Sequence, residues 1–264
     1  MIGNVSRDRV GGQIRVGGGP YYAGRALRAL GRPGAILTKC SEDDRRRLLT
    51  PLVCLGLPVL WRPAPSTAAF EIVYAGEERE MTVEKLGPSW TVAEVADWVA
   101  RGLARAEWVQ VAALQRDEFP AGTLAELARG RRLMLDGQGL VRPPATGPLR
   151  PDAGYDSAVL EHVAILKLSE FEADLLGGLD EESLRGLGVP EVVVTLGSRG
   201  ALVLERGRVE HVPGRPVEPV VDPTGAGDAF GAAYLAARAT GNSPVGAARR
   251  ASGLVADLLS GRFS

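Results

Sequence analysis

Six short apolar runs set the terms for what this chain can become. Ala35–Leu37, Val59–Trp61, Trp108–Ala113, Leu133–Leu135, Val163–Leu168 and Val192–Leu196 are each too short for a buried helix. Such runs read as strands covered on both faces of a parallel sheet. Helical patterns separate them. From Thr91, TVAEVADWVARGLARA places Val92, Val95, Val99 and Leu103 on one face, and Thr91 with Glu94 makes a capping box. Repeated strand–helix units imply a doubly wound, mostly parallel α/β sheet with helices on both sides. The 264 residues suffice for one large core, and we read 1–264 as a single domain.

Two stretches depart from that rhythm. RVGGQIRV, after Arg7-Asp8, is short and punctuated by glycine. AAFEIVYAGEEREMTV alternates Phe70, Ile72 and Tyr74 against Glu71, Val73 and Ala75, then turns at Gly76. Period-two alternation closed by a turn is a half-buried hairpin. Both stretches read as a small β-sheet lid, with strands within about 8–17 and 59–84. An antiparallel edge of the main sheet is the alternative. The proline-rich PPATGPLRP, 143–151, is too short to divide the chain.

Charge and composition remove several functions. A net charge of −1 offers nothing to nucleic acid or to an acidic membrane. No apolar run has membrane-spanning length and no signal peptide is visible, so the cytoplasm is the expected location. Cys40 and Cys54 make no disulfide framework, and His162 and His211 are too few for an ordinary zinc site.

The chemistry concentrates in DPTGAGDAF, 222–230. A helix N-terminus carries unpaired N–H groups and partial positive charge, and glycines admit a ligand to the backbone. Gly225-Ala226-Gly227 is therefore an anion cradle. A carboxylate beside it competes with the anion unless it first deprotonates the group receiving that anion. Asp228 would then be a general base and the cradle would stabilise a migrating phosphoryl group. A plainly capped helix, with Thr224 or Asp222 as cap, explains the same spacing.

VDPTGAGDAF (221–230) closely resembles the C-terminal signature of the ribokinase-like (PfkB) family of carbohydrate and nucleoside kinases, with Pro223 where threonine is usual. IGNVSRD resembles that family's first strand and sugar-binding acid, GGGPYYAGRALRALG (17–31) its double-glycine signature, and VTLGSRGA (194–201) its nucleotide-side loop. The resemblance implies a ribokinase-like fold and ATP-dependent phosphorylation of a small sugar or polyol hydroxyl. A nucleoside kinase and a non-catalytic sugar- or nucleotide-binding module of the same fold are the alternatives. It makes Asp228 the base and the amides of Gly225, Ala226 and Gly227 the anion hole. Asp8, Gly17 and Gly18 would bind substrate, with Tyr22 where the family has asparagine.

The same resemblance places Thr195, Gly197, Ser198, Gly200, Thr224 and Ser252 on the nucleotide. Glu172, in Ser169-Glu170-Phe171-Glu172, would organise Mg²⁺ through water, although Ser-x-x-Glu is itself a capping box. Asp222 and Thr224 sit where relatives bind a monovalent cation such as K⁺. LDGQGLVR, 135–142, is similar to the inositol-kinase-like branch, which would put Asp136 and Gln138 on the substrate. A polar strand exit explains that stretch equally well. Lys167 reads as a snorkelling side chain ahead of a phosphate ligand. Lids in the family often pair, so the Phe70, Ile72 and Tyr74 stripe is a candidate homodimer face. Packing onto its own domain is the simpler use of such a stripe.

Overall fold

The computed structural model describes residues 1–75, 78–217 and 223–261. The turn at Gly76 and the cation-site residue Asp222 lie outside them. In chain order the strands are β1 (Ser6–Val10), β2 (Gln13–Gly17), β3 (Ile36–Cys40), β4 (Val59–Pro63), β5 (Ala68–Ala75), β6 (Glu78–Lys85), β7 (Trp108–Val111), β8 (Arg132–Asp136), β9 (Gly147–Pro148), β10 (Ile165–Ser169), β11 (Glu191–Thr195), β12 (Gly200–Glu205) and β13 (Arg208–Pro213).

The main sheet runs β13-β12-β11-β10-β8-β7, with β7, β8, β10 and β11 parallel and β12 and β13 antiparallel at one edge. Ile2 continues it. Its backbone bridges Val111 on one side and Leu37 on the other, both parallel, and joins the β3–β4 pair to the rest. The apolar runs explain this placement, since Val192, Val193 and Val194 of β11 and Leu166 and Leu168 of β10 are fully covered. One face packs against the helical run over 92–102 and the helices Ala121–Leu127 and Glu181–Gly186. The other carries the helices Gly19–Ala29, Ala226–Ala239 and Pro244–Leu259.

A second sheet, β2-β1-β5-β6-β9, stands apart as the lid. Phe70, Ile72 and Val83 fill its small core with Ala68 and Leu114. The Phe70 and Ile72 part of the stripe thus packs within its own chain. The lid's boundaries differ from the sequence reading. β4 pairs parallel with β3 in the main sheet, so the second lid segment starts at Ala68 and not near 59. The proline-rich stretch supplies an unforeseen lid strand, β9, paired with β6 at Thr82 and Val83.

The Thr91–Glu94 capping box is present in full. Val92, however, is exposed, while Val95, Trp98, Val99 and Leu103 are buried. A π-helical turn over Val95–Val99 shifts the phase of the helix, so a uniform 3.6-residue period misplaces its first residue.

Candidate active site

The helix Ala226–Ala239 starts immediately after Gly225, whose φ of 75° is left-handed. Glycine adopts this conformation without the penalty a side chain brings. A Cβ at 225 would also come within 2.0 Å of a ring carbon of Tyr22, so the ring packs closely against that backbone. The amide of Ala226 donates to the carbonyl of Pro223 at 3.1 Å, closing a tight turn. The far end of the helix is fixed to the sheet. Glu191 on β11 accepts hydrogen bonds from Tyr234 Oη at 2.6 Å and from Arg238 Nη2 at 2.9 Å.

Asp228 occupies the first turn and is buried. Among the described residues its Oδ1 has no hydrogen-bond partner. A Cβ on Gly19 would lie 2.7 Å from that oxygen, so the third glycine of the GGG run keeps the space before the carboxylate open. Burial pushes the Asp228 pKa up to about 7; Asp136 adds to the rise, while Lys167 and Arg142 oppose it.

The ends of β8 and β10 complete the floor. Lys167 Nζ donates to Asp136 Oδ2 at 3.0 Å, and both side chains are buried. The sequence reading of Lys167 as a snorkelling residue is thereby corrected. Its ammonium ends beneath Gly227, 2.9 Å from where a Cβ would stand. Burial alone would lower its pKa, but the charges of Asp136, Glu172 and Asp228 outweigh that and raise it above the ordinary lysine range. Glu172 is buried and closes a capping box, its Oε2 accepting from the Ser169 amide at 2.7 Å. Cap and site are therefore compatible roles for one residue.

Asp8 lies on the lid strand β1, and the cavity it lines does not include Asp228 or Lys167 in its lining. A cavity of about 430 Å³ is lined by Asp8, Arg15, Tyr22, Arg25, Ile72 and Thr224, among others. Ser6 Oγ donates to Asp8 Oδ1 at 2.6 Å. A Cβ at Gly17 would collide with that carboxylate, and Gly18, at φ 91°, passes too close to the Asn4 carbonyl for any side chain. Asp136 and Gln138 do not line this cavity. Gln138 instead donates to Asp136 Oδ1 at 3.2 Å, so both belong to the Lys167 side of the site.

Of the proposed nucleotide residues, Thr224 lines the cavity and the other five do not. Thr195 Oγ1 donates to the Leu168 carbonyl at 3.2 Å. Gly197 and Gly200 hold positive φ in the β11–β12 connection that includes Ser198, and Ser252 is half-buried on the helix Pro244–Leu259. None of these five lines the acid-bearing cavity or the smaller one, about 100 Å³, between Tyr22, Gly225, Ala226 and Leu258. Among the described residues no three His, Cys, Asp or Glu side chains converge as metal ligands. Magnesium keeps most of its water and suits a lone carboxylate beside a phosphate, which is what Glu172 offers.

Sequence reasoning missed Gly19, Arg15, Arg25 and Gln110, whose Nε2 donates to the Asp228 carbonyl at 3.3 Å. Gly19 had a signal, the triple glycine. The others had none, because their roles depend on packing between distant segments.

A doubly wound sheet under a β lid, with an acid at a glycine-led helix start, defines the ribokinase-like fold class. The pfkB family carbohydrate kinase pattern matches residues 64–256, and the chain belongs to that family. Among solved structures it is similar to a pyrophosphate-dependent kinase in the ribokinase family, complexed with a pyrophosphate analog and myo-inositol. That match has a TM-score of 0.83 and 26% identity and covers 98% of this chain and 93% of the other. The *Arabidopsis thaliana* ribokinase complexed with ribose and ATP has the same fold, with TM-score 0.76, 20% identity and coverage of 98% and 91%. Among curated relatives, a cytidine kinase of *Thermococcus kodakarensis* is 36% identical over 90 residues, 31% of this chain and 32% of that protein. A 2-dehydro-3-deoxygluconokinase of *Dickeya dadantii* is 30% identical over 177 residues, 61% of this chain and 56% of that protein. The matches thus span about a third and just over half of those two relatives. Among the described residues no helix is long and apolar enough to cross a membrane.

Proposed function

We propose that this chain transfers a phosphoryl group to a hydroxyl of a small polyhydroxylated acceptor. The observation that carries the reading is Asp228, buried at a helix start with one oxygen unpartnered among the described residues and its pKa raised to about 7. A carboxylate so poised holds or releases a proton near neutral pH, as a general base requires.

The acceptor would lie between Asp8, which accepts its hydroxyls, and Asp228. Asp228 takes the proton of the reacting hydroxyl. That oxygen forms the new bond to phosphorus, and the bond from phosphorus to the donor's bridging oxygen breaks. The amides of Gly225 and Gly227 and the Lys167 ammonium would meet the charge on the transferring group. Ala226 can join this hole only when its hydrogen bond to Pro223 opens. Glu172 would hold Mg²⁺ through water, and the ion would supply positive charge to the donor phosphates. The lid would exclude water, the competing acceptor.

ATP is the donor in the first reading, with Thr195, Gly197, Ser198, Gly200, Thr224 and Ser252 on the nucleotide side. Pyrophosphate is the second, supported by the likeness to the pyrophosphate-dependent kinase. Purified protein offered each donor with inositol, ribose, fructose and nucleosides tests both. Acceptor-dependent release of ADP or phosphate supports the kinase, and the better donor decides between readings. Ligand-induced thermal shifts with no transfer from either donor would favour a non-catalytic binding module. The single domain, a K⁺ site at Asp222 and a homodimer through the lid remain part of this proposal and are open to potassium titration and sedimentation.

A further inference from the structure

The acceptor cavity carries more positive charge than a neutral polyol requires. Arg15 on β2 stands directly across from Asp8 in the β1–β2 register, so both side chains share one face of the hairpin. Arg25 lies one helical turn beyond Tyr22 and lines the same cavity. Neither arginine makes an ion pair or a side-chain hydrogen bond among the described residues. Their neighbours behave differently. Arg7 and Arg9, on the other face of β1, are matched to Asp44 at 3.7 Å and Glu84 at 3.4 Å. On this hairpin the guanidinium unpaired among the described residues, Arg15, is on the cavity side; Arg25 joins it from the helix Gly19–Ala29, and both are exposed where they line the cavity with the buried carboxylate Asp8.

A guanidinium is always charged and binds carboxylate or phosphate oxygens in pairs. Asp8 can only accept hydrogen bonds from hydroxyls, and an anion placed there alone would be repelled. The two chemistries fit one molecule with hydroxyls at one end and an anionic group at the other. We infer that the acceptor is a small polyhydroxylated anion, a sugar acid or a sugar phosphate, whose hydroxyls meet Asp8 and whose charged group is gripped by Arg15 and Arg25. This rests on the kinase reading for the word acceptor only, since binding can be measured without a donor.

The test uses matched pairs that differ in the anionic group: D-gluconate against D-glucitol, and ribose 5-phosphate against ribose. Calorimetry on the full chain, without donor, gives a ratio of affinities for each pair. The expected result is preference for the charged member, about 10- to 100-fold, in at least one pair. Preference in the first pair identifies a carboxylate and in the second a phosphate. In Arg15→Ala and Arg25→Ala the ratio should fall toward one, and in Arg25→Lys it should recover in part.

Equal affinity within both pairs would overturn the inference. So would a loss in Arg15→Ala that is the same for both members of a pair, since Arg15 would then merely balance Asp8. Weakened binding of ATP or pyrophosphate in Arg25→Ala, with the acceptor ratio intact, would assign that arginine to the donor and overturn it as well. If no phosphoryl transfer is found with any acceptor, the kinase reading fails, while the affinity ratios still decide this one.

Discussion

The Lys167 ammonium lies 3.0 Å from the Asp136 carboxylate, and the pair is buried beside a third charged group, Asp228. Opposite charges at this distance and depth interact far more strongly than at a surface, and neither can be removed alone without leaving the other uncompensated. The proton affinity of Asp228, on a helix, is therefore tied to residues on two strands, β8 and β10.

Replacing Asp228 by Asn keeps the shape and removes the proposed base. Turnover should fall about 10²- to 10⁴-fold, while circular dichroism and gel filtration stay as in the parent. A variant retaining near-parental kcat would remove Asp228 from the mechanism.

The Asp228 carboxyl has its pKa raised to about 7, so it is protonated and inactive as a base below that pH. A plot of log kcat/KM against pH should rise with unit slope up to about 7 and then level. Lys167→Met removes a charge that lowers this pKa, so the rise should move to higher pH. It also leaves Asp136 buried without its partner, at a cost of about 3–5 kcal/mol. In the double variant with Asp136→Asn, the limb should return toward its parental position and much of the stability should be recovered. A limb that stays fixed in both variants would contradict the assignment.

Gly19→Ala tests the space before the base. The added methyl would sit 2.7 Å from Asp228 Oδ1 and press on Ala112. Overpacking of this kind typically costs about 1–3 kcal/mol, and acceptor turnover should be largely lost in protein that remains folded at 25 °C. Activity close to parental would show that acceptors approach from another side.

Glu118 is buried, and burial lifts its pKa from 4.5 to about 7, against opposing hydrogen bonds from the Leu114 amide and the Asn4 side chain. The folded state thus holds this proton more tightly than the unfolded chain. Its stabilising contribution is complete below about 4.5 and is lost as pH rises through 7, a change of up to about 3 kcal/mol. Glu118→Gln should match the parent in Tm near pH 4.5 and exceed it near pH 8. A pH-independent difference in Tm would contradict this origin.

Much of this was written in local sequence. The apolar runs are strands because nothing but a covered sheet accommodates them, and Asp228 stands behind its glycines where the anion-cradle argument puts it. The errors have a common cause. Val59–Trp61 carries no mark saying which sheet it joins. Lys167 looks like any lysine at a strand end until β8 brings Asp136 alongside it from 31 residues away. Arg15 and Arg25 acquire meaning only when the hairpin and the first helix face each other. Gly147-Pro148 is too short to be read as a strand and is one solely because β6 offers it an edge.

That two-residue strand has a mechanical consequence. The flap over the acceptor cavity is held by a third tether as well as by its own strand connections, since Leu149 donates to the Met81 carbonyl at 2.8 Å. Just beyond it, Asp152 is ion-paired to Arg116 at 2.6 Å. A swing of the flap must either drag 147–149 along or unzip that edge. The same segment leads back to Arg142, whose charge is felt by Asp228, so the lid strand β9 and the buried acid are linked by one short piece of chain.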